Sequence, residues 1–182
     1  MLSWDAELCE RLANGARFVI RYDIRDAGRL VTYEPGAPPY ALRDLVADAV
    51  GLLDTLGLAS AHLVGMSLGS AIAQVLALEH PDRVASLTLG ANLTNHFMLE
   101  AGDPWRQRLG EVAAPALVVH GTEDPLFPIG HARALANEIP GAELLALEQT
   151  GHEYFPRATW DLVVPAILRH ASGVPAGAGS AQ

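Results

Sequence analysis

The chain has 182 residues, half of them hydrophobic, and its 12 basic against 21 acidic side chains give a net charge of −9. That length suits one domain with a real core, and a charged fraction of 18% is too low for a disordered chain. The 12 basic residues are all Arg and scattered, which excludes a cationic nucleic-acid face, and the lone Cys9 excludes an internal disulfide or a cysteine metal cluster.

Residues 1–15 carry Asp5, Glu7 and Glu10 and lack the apolar stretch of a signal peptide. No run reaches the roughly 18 apolar residues of a membrane span. A cytoplasmic protein without membrane or nucleic-acid partners is therefore expected. Residues 17–22 read as a strand, and 41–56 as a helix in which Leu45, Val46, Val50, Leu52 and Leu53 recur at near-helical spacing. A strand follows at 61–65, then a helix at 68–79, which His80-Pro81 stops because proline disfavours helix in the residue before it. Strands are predicted at 84–89, 116–120 and 143–147, with helices at 130–138 and 159–170. Short apolar runs alternating with longer amphipathic ones are the pattern of a parallel sheet buried on both faces. The fold class is α/β, a mostly parallel sheet of about five strands flanked by helices on both faces. The Gly, Ala, Ser and Pro of residues 172–182 read as a disordered tail.

The strand at 61–65 runs into Gly65, Met66, Ser67, Leu68 and Gly69, and a helical pattern starts at once. This is G-x-S-x-G in a strand–turn–helix context, where a sharp, strained turn lifts a serine above the sheet edge. Glycines at 65 and 69 leave room for that turn, and small Ser70 keeps the helix start close to the sheet. The helix N-terminus sets backbone N–H groups where an oxyanion would develop. A serine between glycines is also compatible with a plain tight turn.

A serine nucleophile needs a base and an orienting carboxylate. The strand at 116–120 ends in Gly121, Thr122, Glu123, Asp124 and Pro125, and the strand at 143–147 is followed by Gln149, Thr150, Gly151, His152 and Glu153. Both sets fall at the carboxyl ends of strands, where open α/β sheets place reacting groups. Asp124 is preferred over Glu123 as the acid, although a turn or helix-cap role suits Asp124 equally well. His152 is one of 7 histidines, and a loop histidine taken alone reads as a surface group. His120, at the end of its strand, reads as packed or bonded to a loop. The order Ser, Asp, His along the chain is what makes the set persuasive.

These motifs resemble the α/β-hydrolase fold superfamily, and within it the anthracycline (aclacinomycin) methylesterase-like serine esterases. Residues 65–69, 120–128 and 151–153 are similar to that family's elbow, acid loop and histidine loop, and 21–29 to the loop after its fourth strand. The resemblance implies Ser67 as nucleophile, Asp124 as acid and His152 as base, with the Leu68 N–H as one oxyanion donor and no metal or organic cofactor. It also implies two departures. Members carry residues ahead of the point matching Met1, including early strands and a His-Gly loop that supplies a second oxyanion N–H. They also insert a helical lid in the interval where this chain has only 91–114, so the lid looks cut out near 91–94.

The resulting expectation is a hydrolase core at 1–171, lacking the first strands and the cap, with a tail at 172–182. Its function is expected to be cleavage of small to medium apolar carboxylic esters through an acyl-enzyme, with activity reduced by the missing parts. Exposed apolar surface should favour self-association. Two other readings stay open: a catalytically impaired fragment or non-enzymatic interaction module, and a cofactor-free haloperoxidase or perhydrolase-like activity. Ser67 argues against an epoxide hydrolase or dehalogenase, which would need Asp at that position.

Overall fold

In the computed structural model, which describes residues 4–14, 17–34, 36, 38–91 and 105–173, four short aliphatic runs pair into one parallel sheet. They are β1 (Ala61–Met66), β2 (Val84–Gly90), β3 (Ala116–Gly121) and β4 (Glu143–Leu147), in the order β1-β2-β3-β4. Among the described residues five α-helices surround it: α1 (Ala6–Ala13), α2 (Leu42–Thr55), α3 (Leu68–Glu79), α4 (Gly130–Glu138) and α5 (Trp160–His170). The described connections include three 3₁₀ turns, Pro81–Arg83, Trp105–Glu111 and Arg157–Thr159.

Period-2 alternation along β3 divides the core into two layers. Ala116 and Val118 face α2, α3 and α4 together with Leu87 and Leu89 of β2, whereas Leu117 and Val119 face α1 and α5. Helix α3 is buried from Ser70 to Leu78, as a helix that is apolar on nearly all sides must be. The register pairs Met66 with Gly90, Gly90 with Val119, and Gly121 with Leu147, which brings the carboxyl ends of all four strands to one edge.

One predicted strand is absent. Residues 17–22 join no ladder, so the sheet has four strands among the described residues rather than about five. The Phe18-Val19-Ile20 run has the composition of a strand, yet among the described residues β1 is hydrogen-bonded on one side only, to β2. Strand propensity without a ladder partner does not make a strand. The segment is tied instead through its guanidinium groups: Arg17 donates to the Leu168 carbonyl and Arg21 to that of Trp4. Phe18 is left 84% exposed.

Helix α1 was not anticipated, although its signals are local. Asp5 accepts from the Glu7 N–H at 2.8 Å as an N-cap, and Leu8 and Leu12, four apart, bury against α5. The expected lid excision touches 92–104 and the expected tail reaches 182; residues 92–104 and 174–182 lie outside the described residues. No helix among those described is long and apolar enough to cross a membrane.

Candidate active site

The turn from β1 into α3 holds Ser67 at φ 50° and ψ −116°. That left-handed geometry is costly for any residue with a Cβ and persists only where the surroundings impose it. The Ser67 N–H bonds the Gly90 carbonyl at 3.0 Å, and the N–H groups of Ser70 and Ala71 return to the Ser67 carbonyl. The crowding behind the turn runs one way. A Cβ on Gly65 would stand 2.2 Å from the Gly69 carbonyl oxygen, whereas one on Gly69 would meet nothing within 4 Å. Room at position 69, expected from the pattern, is therefore not what the turn requires. The turn needs glycine at 65. Leu68 opens α3, so its N–H stands at the positive end of that helix.

The acid loop leaves β3 after Gly121 and the histidine loop leaves β4 after Leu147. Their backbones interlock: the Thr122 N–H bonds the Leu147 carbonyl at 2.9 Å, and the Glu123 N–H bonds that of Thr150 at 3.0 Å. A Cβ at Gly121 would stand 2.2 Å from the Thr150 carbonyl oxygen, so only glycine lets the loops close up. Gln149, at φ 54°, turns the second loop back toward the first.

Within this frame Asp124, 5% exposed, divides its two oxygens. Oδ1 accepts the N–H groups of Leu126 at 2.8 Å and Phe127 at 2.9 Å, and Oδ2 accepts from His152 Nδ1 at 2.8 Å. One oxygen of Asp124 thus makes the turn, and the other meets the histidine. Burial pushes the carboxyl up, but the Phe127 N–H, His152 and the Leu126 N–H outweigh it and leave the group below the ordinary value. Glu123 is exposed and engages the neighbouring loop through its backbone.

His152 keeps part of its ring open to solvent, and the Phe127 ring meets it edge-on with centroids 5.2 Å apart. With Nδ1–H given to Asp124, Nε2 carries the lone pair. Met66, the residue before Ser67, and Phe155, three after His152, both pack at Gly90. The serine turn and the histidine loop therefore meet above the end of β2. The structure joins Asp124 and His152 directly, whereas Ser67 and His152 share no hydrogen bond among the described residues. Such bonds are commonly long before substrate arrives.

Two residues at this site were given no part in the chemistry by the sequence reading. His120 is fully buried, with Nε2 2.7 Å from the Phe127 carbonyl and 3.6 Å from Asp124 Oδ2. Phe127 contributes its N–H, its carbonyl and its ring. The signal for both was proximity to the acid in the run from His120 to Pro128. Cavities of about 190 Å³ beside Leu144 and Arg169, and about 310 Å³ beside Arg106 and Glu138, lie away from Ser67, Asp124 and His152. No group of three or more His, Cys, Asp or Glu side chains among the described residues is placed to hold a metal.

A parallel sheet with this serine turn and carboxylate–histidine pair at its carboxyl edge is the arrangement of an α/β hydrolase. The sequence profile of the alpha/beta hydrolase fold matches residues 3–104 and 100–157, and the chain belongs to that family. Two relatives, the rhodomycin D methylesterases DauP of Streptomyces sp. (strain C5) and DnrP of Streptomyces peucetius, are each 30% identical over 256 aligned positions. Those positions cover 92% of this chain and 86% of each relative. They outnumber the 182 residues here, so the alignment crosses stretches that the relatives have and this chain lacks. The enol-lactonase of Burkholderia xenovorans LB400 shares the fold with a TM-score of 0.74 at 21% identity, over 94% of this chain and 88% of its own. The protein is an enzyme, and its class is hydrolase.

Proposed function

We propose that this hydrolase is a serine esterase that cleaves carboxylic esters, methyl esters foremost, of small to medium apolar substrates. The observation that carries the reading is the 2.8 Å hydrogen bond between His152 Nδ1 and Asp124 Oδ2, at the same sheet edge as the strained Ser67. Asp124 fixes the imidazole so that Nε2 faces the reaction, and its negative charge stabilises the imidazolium that forms. Ser67 Oγ attacks the ester carbonyl and its proton passes to His152 Nε2. The tetrahedral oxyanion is met by the Leu68 N–H at the start of α3. Collapse expels the alcohol, which takes the proton from His152, and leaves the acyl group on Ser67. Water then attacks that ester through the same base, and the acid departs. Methyl esters come first because the two methylesterase relatives cover nearly the whole chain.

Residues 1–171 act in this reading as one hydrolase core. The exposed Phe18, Leu30 and Val31 support self-association of that core, which sedimentation at rising concentration would detect.

The test is a panel of apolar methyl, ethyl and p-nitrophenyl esters assayed with the parent and with His152→Ala. Hydrolysis by the parent with a burst of nitrophenol near the enzyme concentration, lost in the variant, is the expected result. Turnover that survives His152→Ala would overturn the reading.

A further inference from the structure

We infer that His120 is a positioning residue of the esterase site: its Nε2–H, through the Phe127 carbonyl, holds the turn that aims Asp124 at His152. The assignment rests on the serine-esterase reading above. A carbonyl oxygen only accepts, so at 2.7 Å from the Phe127 carbonyl it is His120 Nε2 that carries the proton. The ring is 1% exposed at the end of β3, where the strand fixes its backbone. A rigid element thereby grips the middle of a loop.

What it grips matters because Phe127 touches the reacting pair twice more. The Phe127 N–H is one of two donors that occupy Asp124 Oδ1, at 2.9 Å, and the Phe127 ring lies edge-on to His152. With Oδ1 filled by the turn, Oδ2 alone is left to orient the imidazole at 2.8 Å. The same His120 nitrogen lies 3.6 Å from that Oδ2, beyond hydrogen-bond length but near enough to attract it. Losing the His120 donor would release the Phe127 carbonyl, let residues 124–127 shift, and blur the division of labour between the two oxygens. Displacements of about 1 Å in such a frame cost on the order of a hundredfold in rate. Substrate is not touched, so the loss should appear in kcat and leave KM nearly unchanged.

The experiment compares the parent with His120→Gln, whose side-chain amide reaches about as far as imidazole Nε2, and with His120→Phe, which fills the space without a donor. Two signals are read: kcat and KM on an apolar ester, and the downfield proton resonance of the His152 Nδ1–H hydrogen bond, which needs no turnover. Expected is a ten- to hundredfold fall in kcat and loss of the resonance in His120→Phe, with KM within about twofold. His120→Gln should keep the resonance and most of kcat. A folded His120→Phe with parental kcat and an intact resonance would overturn the assignment. So would a folded His120→Gln as impaired as His120→Phe. If His120→Phe does not fold, His120→Asn, polar but too short to reach the Phe127 carbonyl, carries the same comparison. Failure of all three to fold would make His120 a core residue and nothing more. A parent that shows the resonance, lost in His120→Phe, but hydrolyses no ester would sink the esterase reading and leave the positioning role standing.

Discussion

Gly121 faces the carbonyl oxygen of Thr150 so closely that a Cβ on the glycine would stand 2.2 Å from it. This contact sets the spacing between the loop that carries Asp124 and the loop that carries His152. The nearest atoms it would meet, in Thr150 and Gly151, are all backbone, so no side chain can swing aside to relieve the clash. Gly121→Ala should push the loops apart, breaking the Glu123–Thr150 hydrogen bond and the Asp124–His152 pair together. The expected cost is about 1–3 kcal/mol of stability and about a hundredfold in kcat/KM. Urea unfolding and ester kinetics check the two together; parental behaviour in both would contradict the account.

The serine turn gives a paired prediction at its two glycines. Gly65→Ala drives a Cβ into the Gly69 carbonyl at 2.2 Å, whereas the Cβ of Gly69→Ala enters open space within α3. Alanine also exceeds glycine in helix propensity by about 0.5–1 kcal/mol. Gly65→Ala should therefore lower the urea midpoint sharply, and Gly69→Ala should hold or raise it. Equal midpoints for the two variants would show that the turn is less crowded than described.

Most of the sheet and helices, and the pairing of Asp124 with His152, were legible in the sequence. Residues 68–79, 130–138 and 143–147 form elements at the predicted bounds, because apolar patterning and, for the first, the His80-Pro81 stop are local signals. The segment at 17–22 was misread for a nonlocal reason: its composition is that of a strand, but a strand exists only beside a partner. The uneven glycine requirement of the turn was equally hidden, since G-x-S-x-G does not reveal which glycine faces backbone. His120 was legible as loop-bonded, but its reach to Phe127 depends on how the loop folds back.

Asp124 makes stability depend on pH in a defined direction. Its folded pKa lies below the ordinary 3.8, so the native state favours the ionised form. That contribution is present above about pH 4 and fades as pH falls through the lowered folded value. Asp124→Asn lacks it. The stability gap between the parent and Asp124→Asn, measured by urea unfolding, should be widest near pH 7 and close as pH drops below 4. A gap constant down to pH 3 would mean that the carboxylate is not held by its partners.

Ser67 places function against stability. Its left-handed backbone costs about 1–3 kcal/mol, and glycine relieves this at an entropic cost of about 0.5–1 kcal/mol. Ser67→Gly should be inactive yet melt about 2–4 °C higher than the parent, whereas Ser67→Ala should be inactive with little change in Tm. A Ser67→Gly variant that melts lower than Ser67→Ala would contradict strain at the turn.

The central claim, that Ser67, Asp124 and His152 act as one unit, is tested most directly by intact-mass detection of fluorophosphonate labelling. The account predicts one adduct per chain on the parent, absent in Ser67→Ala and in His152→Ala, and strongly slowed in Asp124→Asn. A folded parent that takes no label, or takes it equally well without His152, would contradict it.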